Sequence, residues 1–342
     1  MRFQSIIISL SLLFTASANA SDSVTFRNVI KGHQAQVETF AISDDGKTLV
    51  TGGWDNTVRI YECDSMGNWE FIKDFRRHFG AITTLTISPD KKYFVSGSKD
   101  NTFNMVEMVT GNIVFTGRDQ NRPVTDVFFT EDGNFLFTSC EDGYVFIYKM
   151  DDMLFAVSKP TKVRVGSPVY DIDLSIRRGN IFVCTRGNEL LEINTKGAVV
   201  KRYVAHTAQV NSMAISPDKS VIATSGDDKR VYLWNSKTGD TIASLTGHDW
   251  KVNHVSFSPD GRFLISAGNK GKVVVWSMDS MKMVQEFTPI GNNARKAIFT
   301  SDMKEILVAT LQNGPLYGLS VYNSAFAYLP KEEKKKEKKS EN

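Results

Sequence analysis

Four histidines set a frame of about 42 residues along the chain, and this repeat constrains the fold more than any other feature. With His33, His78, His206 and His248 as origins, Val37, Ile82, Val210 and Val252 stand four residues on. Eighteen residues on stand Thr51, Ser96, Thr224 and Ser266. Twenty-two on stand Asp55, Asp100, Asp228 and Lys270, and twenty-eight on stand Tyr61, Val106, Trp234 and Trp276. Two copies keep the frame without the histidine: Gln120, Thr138, Asp142, Tyr148, and then Val165, Val183, Gly187, Ile193. A seventh begins near Ile290, with Asn313-Gly314 as its turn and Tyr322 as its late aromatic. Successive origins lie 45, 42, 45, 41, 42 and 42 residues apart, a register that chance does not keep.

Inside each copy the pattern is that of strands. An alternating run such as Val252-Asn253-His254-Val255-Ser256-Phe257 follows the origin. A Ser-Pro-Asp turn comes next in three copies (from Ser88, Ser216 and Ser258), where Pro presets φ and Asp binds its own backbone. A second strand, a tight turn around the aspartate, a third strand and a more variable fourth complete the copy. One such unit cannot bury both faces alone, but a ring of them can, and a ring leaves little open edge. The expectation is an all-β, seven-bladed β-propeller of four-stranded antiparallel blades. Seven inner strands are met by six complete outer ones.

The Gly-His openings (Gly32-His33, Gly247-His248), the Ser/Thr, the turn aspartate and the late Trp resemble the WD-repeat β-propeller family from about Val24 to Asn323. The resemblance implies a hydrogen-bond network inside each blade, complete in copy five as His206, Thr224, Asp228 and Trp234. It also implies that the first segment, Val24 to Val29, closes the ring by supplying the last outer strand. No copy ends in a literal Trp-Asp pair, Lys270 replaces the aspartate of copy six, and copies three and four lack the histidine.

The two ends read differently from the repeat. Arg2, an apolar stretch from Ile6 to Phe14 and the small-residue site Ala18-Asn19-Ala20 form the pattern of a cleavable secretory signal over residues 1–20. The apolar part is too short to span a bilayer, so no transmembrane segment is expected. The propeller is expected over 21–328 and a disordered Lys/Glu-rich tail over 329–342. Within that tail, residues 331–339 hold six lysines and three acids, which accounts for the whole net charge of +3. So small an excess gives no argument for nucleic acid. The expected location is periplasmic or secreted. Cys63, Cys140 and Cys184 have no metal or disulfide-framework spacing, and buried thiols are expected, a Cys140–Cys184 bridge being conceivable.

Four of the five histidines belong to the lattice, which removes most raw material for a catalytic triad or zinc site. His254 remains, two residues past the lattice valine of copy six. Its equivalents include Asp126, Asp171 and Lys296, a polar set near one mouth of the central channel. That set is the basis of an alternative reading, a hydrolase- or lactonase-like propeller enzyme. No phosphate loop or nucleophile elbow occurs, and no catalytic residue, metal or cofactor is assigned. Trp54, Phe79 and Trp250 fall in connections at one end of the blades, with Lys99, Lys251 and Lys270 and, at the edge of the set, Arg122 and Arg295. Aromatic anchors dominate interface energies, so these residues mark the expected contact surface for protein partners. The chain is expected to work as a non-enzymatic scaffold and as a monomer.

Overall fold

The computed structural model describes residues 23–151, 159–174, 179–311 and 317–326. The expected signal, the Asn313-Gly314 turn and the basic tail lie outside the described residues. The described strands form seven four-stranded antiparallel sheets, one for each copy of the repeat. The inner strands are Val37–Ile42, Ile82–Ile87, Val124–Phe129, Val169–Leu174, Val210–Ile215, Val252–Phe257 and Asn292–Phe299. Each packs on the next, and the seventh returns to the first, so the blades form a ring. Apolar clusters fill the spaces between neighbouring blades, as where Val231, Leu233 and Leu245 of blade 5 meet Val252, Val274 and Trp276 of blade 6.

Closure follows the expectation. Thr25–Lys31 pairs antiparallel with Gly318–Asn323 and supplies the outer strand of blade 7, from Thr25 opposite Asn323 to Lys31 opposite Gly318. The Glu305 carboxylate, buried in blade 7, ties this strand down. One oxygen takes the Arg27 guanidinium and the other accepts Trp69 Nε1–H of blade 1 at 3.2 Å. Arg27 also donates to Asn68 Oδ1 at 2.9 Å, so three segments distant in sequence meet at one clasp.

The repeat writes side-chain stitches between blades as well. The residue after the lattice valine donates to the carbonyl of the next inner strand: Thr83 to Val124 at 2.5 Å, Asn211 to Val252 and Asn253 to Ala294, both at 2.8 Å. At the opposite end, a Ser/Thr-x-Asp turn joins the first two strands in six blades. Ser43, Ser88, Thr130, Ser216, Ser258 and Thr300 each donate a hydroxyl to the aspartate two residues on. The Ser-Pro-Asp signal is thus the visible half of a broader turn that does not need proline.

The lattice is built as the spacing predicts in blades 1, 2 and 5. Imidazole Nδ1 meets a carboxylate oxygen at 2.9 Å in His33–Asp55, His78–Asp100 and His206–Asp228. Nε2 meets Thr51 at 2.8 Å, Ser96 at 2.9 Å and Thr224 at 2.8 Å. Each carboxylate also accepts the N–H of the residue after its histidine: Gln34, Phe79 and Thr207. Burial alone would raise these carboxyl groups, yet the imidazole and the backbone donors bring all three below the usual carboxylate range. Trp234 completes blade 5 by donating Nε1–H to Thr224 at 2.9 Å. Blade 3 keeps a reduced version, with Gln120 Nε2–H donating to Thr138 at 2.9 Å. Blade 4 has no such network: Val165, Val183 and Ile193 fill the same frame with apolar packing.

Cys140 and Cys184 are buried free thiols and Cys63 is a half-buried one, so the conceivable bridge is not formed. No described helix is long and apolar enough to cross a membrane. Removal of residues 21–30 should lower the melting temperature by well over 5 °C, since each kcal/mol lost moves the midpoint of a chain this size by about 2–4 °C. Differential scanning calorimetry reads the change, and an unaltered midpoint would show that the ring closes without this strand.

Candidate functional site: the upper face and the channel

In an up-and-down blade, the connection before the first strand and the turn between strands two and three emerge at the same end. The lattice aspartates sit there but point inward. Of the residues that the sequence nominated for contact, Trp54 and Lys99 precede lattice aspartates, Phe79, Trp250 and Lys251 follow lattice histidines, and Lys270 stands at the aspartate position of blade 6.

The structure assembles the nominated side chains into two clusters. In the first, Trp54 of blade 1 is 45% exposed and carries the Lys99 ammonium of blade 2 at 3.9 Å from its ring centroid. Trp54 Nε1–H donates to Glu38 at 3.0 Å, and Glu38 pairs with Arg295 of blade 7 at 2.8 Å. A cation–π contact between blades 1 and 2, a hydrogen bond within blade 1 and an ion pair between blades 1 and 7 therefore form one chain of contacts. Phe79 of blade 2, whose N–H donates to Asp100 next to Lys99, is 97% exposed. In the second cluster, Trp250 of blade 6 is 47% exposed, with Lys270 at 3.8 Å and Lys229 of blade 5 at 5.9 Å from its ring. Lys251 is half-buried; its carbonyl accepts Asn269 N–H at 2.9 Å and so holds the Trp250 loop against the neighbouring turn. Arg122 is exposed and lies apart from both clusters. Blade 7 lies between the two clusters and touches both, through Arg295 to Glu38 and through Asn293 to the Lys270 backbone.

Sequence reasoning missed Glu38, Lys229 and Lys272. Glu38 sits one residue past a lattice valine, and Lys229 directly follows a lattice aspartate, so frame position alone could have flagged both. Lys272 required the fold. It pairs with Glu286 at 2.8 Å and Asp249 at 3.7 Å, and these three charges flank a pocket of about 380 Å³ beside Trp250.

The channel set also comes together, through a bulge repeated on all seven inner strands immediately before the position concerned. Asp126 accepts Thr84 O–H of blade 2 at 3.0 Å and Ile172 N–H of blade 4 at 3.2 Å. Asp171 accepts Met213 N–H of blade 5 at 2.8 Å and shares a side-chain hydrogen bond with Asp126. These carboxyl groups therefore stitch consecutive blades from the inside. Burial, and for Asp126 the Asp171 charge beside it, raises both above the usual carboxylate range, so the pair favours holding a proton. Burial lowers Lys296, which lies 5.4 Å from the Phe40 ring centroid of blade 1. Burial and the Lys296 charge lower His254 to about 3, so its imidazole is neutral at physiological pH. Among the described residues, no group of three or more His, Cys, Asp or Glu side chains is placed to hold a metal ion. The geometry assigns these carboxylates to blade-to-blade bonding.

With fold, lattice and faces in place, comparison with known sequences decides the family. The pattern of the WD domain, G-beta repeat, matches five segments: 24–62, 69–105, 111–149, 197–235 and 239–277. They cover more than half of the chain. The protein belongs to the WD-repeat family. The two long unmatched stretches, 150–196 and 278–342, hold the first three strands of blades 4 and 7. Among individual proteins, the chain is similar to Protein HIR1 of Yarrowia lipolytica, 24% identical over 211 residues, which covers 61% of this chain and 16% of that protein. It is also similar to the Protein LST8 homologs of Drosophila pseudoobscura pseudoobscura (24% over 199 residues) and Drosophila melanogaster (26% over 195). Those alignments cover 56% of this chain and 60% and 61% of the two fly proteins.

The channel carboxyls yield a pH prediction. A group whose folded pKa is raised contributes stability that is present below the unfolded value of about 3.9 and is lost as pH rises through the folded value. Asp126→Asn removes one such group. Its melting temperature relative to wild type should therefore become steadily more favourable between pH 4 and pH 8. A difference independent of pH would show that the pair holds no proton.

Proposed function

We propose that this protein is a non-catalytic WD-repeat scaffold that holds protein partners on its upper face, and that it does so outside the cytoplasm. The observation that carries the first part is the pair of exposed tryptophans, each overlaid by a lysine from an adjacent turn, together with a fully exposed phenylalanine on blade 2. Large rings are costly to leave in water, and side chains of this kind supply most of the energy when an interface buries them. Cation–π stacking holds each ring in place before a partner arrives, which reduces the ordering cost of association. The channel offers no comparable invitation, because its carboxyl groups are engaged with neighbouring blades.

The compartment rests on the sequence of residues 1–20 alone. A basic start, a short apolar run and a small-residue site are read together as an export signal. If the reading holds, the mature protein begins at or near Ser21. Edman sequencing of protein recovered from its native source should then start there, and a first cycle at Met1 or Arg2 would contradict export by cleavage.

For the binding role, the Trp54→Ala/Trp250→Ala double variant should bind its partners at least roughly tenfold more weakly, as expected when two interface anchors are lost. Its melting temperature should stay within about 2 °C of wild type, since surface substitutions away from packed features change stability little. Affinity capture from the native compartment followed by calorimetric titration makes the comparison. Unchanged affinity would move the contact surface elsewhere, and a collapsed melt would show that the rings are core.

A further inference from the structure

Blade 6 differs from blades 1, 2 and 5 by one carboxylate, and the consequences lie beside Trp250. The lower half of its lattice is intact. His248 Nε2 meets the Ser266 hydroxyl at 2.7 Å, and Trp276 Nε1–H donates to the same hydroxyl at 2.8 Å. The imidazole also occupies the usual place. A side-chain carbon on Gly268 would sit 2.7 Å from His248 Nδ1, the distance that a carbon on Gly226 would have from His206 Nδ1 in blade 5. In blade 5 that nitrogen meets Asp228; in blade 6 the corresponding residue is Lys270.

The turn has responded to the change. Blades 1, 2 and 5 use one left-handed residue after the aspartate: Asn56 (φ 60), Asn101 (φ 67) and Lys229 (φ 69). In blade 6 two successive residues are left-handed, Lys270 (φ 57) and Gly271 (φ 71), and the Lys270 side chain turns outward onto Trp250. Among the described residues no carboxylate of the turn reaches His248; the turn is held by Asn269 N–H to the Lys251 carbonyl, by Asn253 Nδ2–H to Asn269 Oδ1 at 2.8 Å and by Lys270 N–H to Asn293 Oδ1 of blade 7 at 2.9 Å.

His248 is only 8% exposed, and among the described residues its Nδ1 has no hydrogen-bond partner. Among the described residues, the fully enclosed side-chain atoms without partners are Arg59 Nε, Gln120 Oε1, His254 Nδ1 and Arg295 Nε, and His248 Nδ1 is not one of them. Where the Ser266 hydroxyl donates to Nε2 rather than to the Val274 carbonyl at 3.4 Å, the neutral imidazole carries its proton on Nδ1, and that nitrogen is then a donor without a protein acceptor among the described residues. The two nearby carboxylates are drawn away from it. Asp249, with its side chain 82% exposed, and Glu286 both face Lys272. Burial and the Lys272 charge lower His248 to about 4, whereas a carboxylate at Nδ1 would favour the protonated ring. Asp249, the residue after His248, lines a pocket of about 380 Å³ together with Trp250, Asn269, Lys270, Lys272 and Glu286.

We propose that blade 6 receives its missing carboxylate in trans: an aspartate or glutamate side chain of a protein partner enters the pocket beside Trp250 and accepts Nδ1–H of His248. This rests on the upper-face reading and specifies its chemistry. Lys270 and Lys272 balance the Asp249 and Glu286 carboxylates that also line the pocket, so the incoming acid is held by the His248 N–H and a lysine in exchange with those side chains, and Trp250 covers the chain that carries it. The occupant is an acidic peptide segment because the lattice supplies the template. At three other positions in this same ring, a carboxylate fits the equivalent space and satisfies the equivalent nitrogen.

The test uses the full chain labelled with ¹⁵N in its imidazoles, titrated with acetyl-Gly-Asp-Gly-amide or with its Asn counterpart at constant ionic strength. The Asp peptide should shift the His248 Nδ1 resonance at pH 7 and raise the His248 pKa by about one unit, the size expected for a new opposite charge within hydrogen-bonding reach. The Asn peptide should do neither. Lys270→Asp supplies the carboxylate in cis, so its His248 should titrate higher without peptide and no longer respond to it. An unmoved His248 in the presence of the Asp peptide overturns the proposal, as does equal response to both peptides. Partner affinity separates this proposal from the broader reading. If Trp54→Ala/Trp250→Ala weakens binding and Lys270→Asp does not, the face stands and the carboxylate falls. If neither weakens binding, the face itself is wrong.

Discussion

The pairing of a buried imidazole with an inward-turned carboxylate organises this molecule at two levels. Within a blade it ties the connection before the first strand to the turn between the second and third, across 22 residues of sequence. A neutral hydrogen bond of this kind contributes about 1 kcal/mol net and a charge-assisted one more, and an unmade one inside the fold costs more than either gains. At the surface its effect is indirect. Because Asp55, Asp100 and Asp228 face inward, the outward charge of the same turns passes to their neighbours Lys99 and Lys229. The two lysines then lie over Trp54 and Trp250. A rigid interior network thereby produces a basic, aromatic exterior.

The ring holds by repetition. Each blade gives its neighbour an apolar interface, a side-chain bond to a backbone carbonyl on several seams and, at Asp126 and Asp171, a carboxyl that accepts the N–H of the next inner strand. Because the apolar interface recurs at every seam, local losses of the polar bonds are tolerated. Blade 4 carries none of the His–Asp network and replaces it with Val165, Val183 and Ile193; blade 3 retains a glutamine. The closing blade has no such freedom, since its outer strand comes from the other end of the chain. The clasp of Arg27, Glu305 and Trp69 stands at that point.

Much of this was legible in the sequence because the deciding interactions recur at fixed offsets. Histidine, hydroxyl, aspartate and tryptophan at 0, 18, 22 and 28 residues identify the blade before any coordinates are known. Counting showed that one outer strand was missing, seven inner strands being met by six outer ones, and the resemblance to the WD repeat implied that the first segment supplies it. What escaped were contacts with no sequence period. Arg27 with Glu305 spans 278 positions, and Glu38 with Arg295 crosses the seam of the ring. The grouping of Trp54 with Lys99 and of Trp250 with Lys270 was legible only as far as a shared face, because side-chain direction depends on turn geometry. Lys270 shows this most clearly. As a departure from the frame it was visible at once, but its two-residue left-handed turn and its outward swing onto Trp250 follow from losing an inward bond.

The claim on which the account stands or falls is that partners meet the end of the ring where the lattice turns lie. Site-specific photo-crosslinking tests it without perturbing either tryptophan. A benzophenone amino acid placed at Phe79 on the upper face is compared with one at Met66, in the opposite connections and 78% exposed. The account predicts partner crosslinks from position 79 and none above background from position 66. Crosslinks from position 66 with none from position 79 would contradict it.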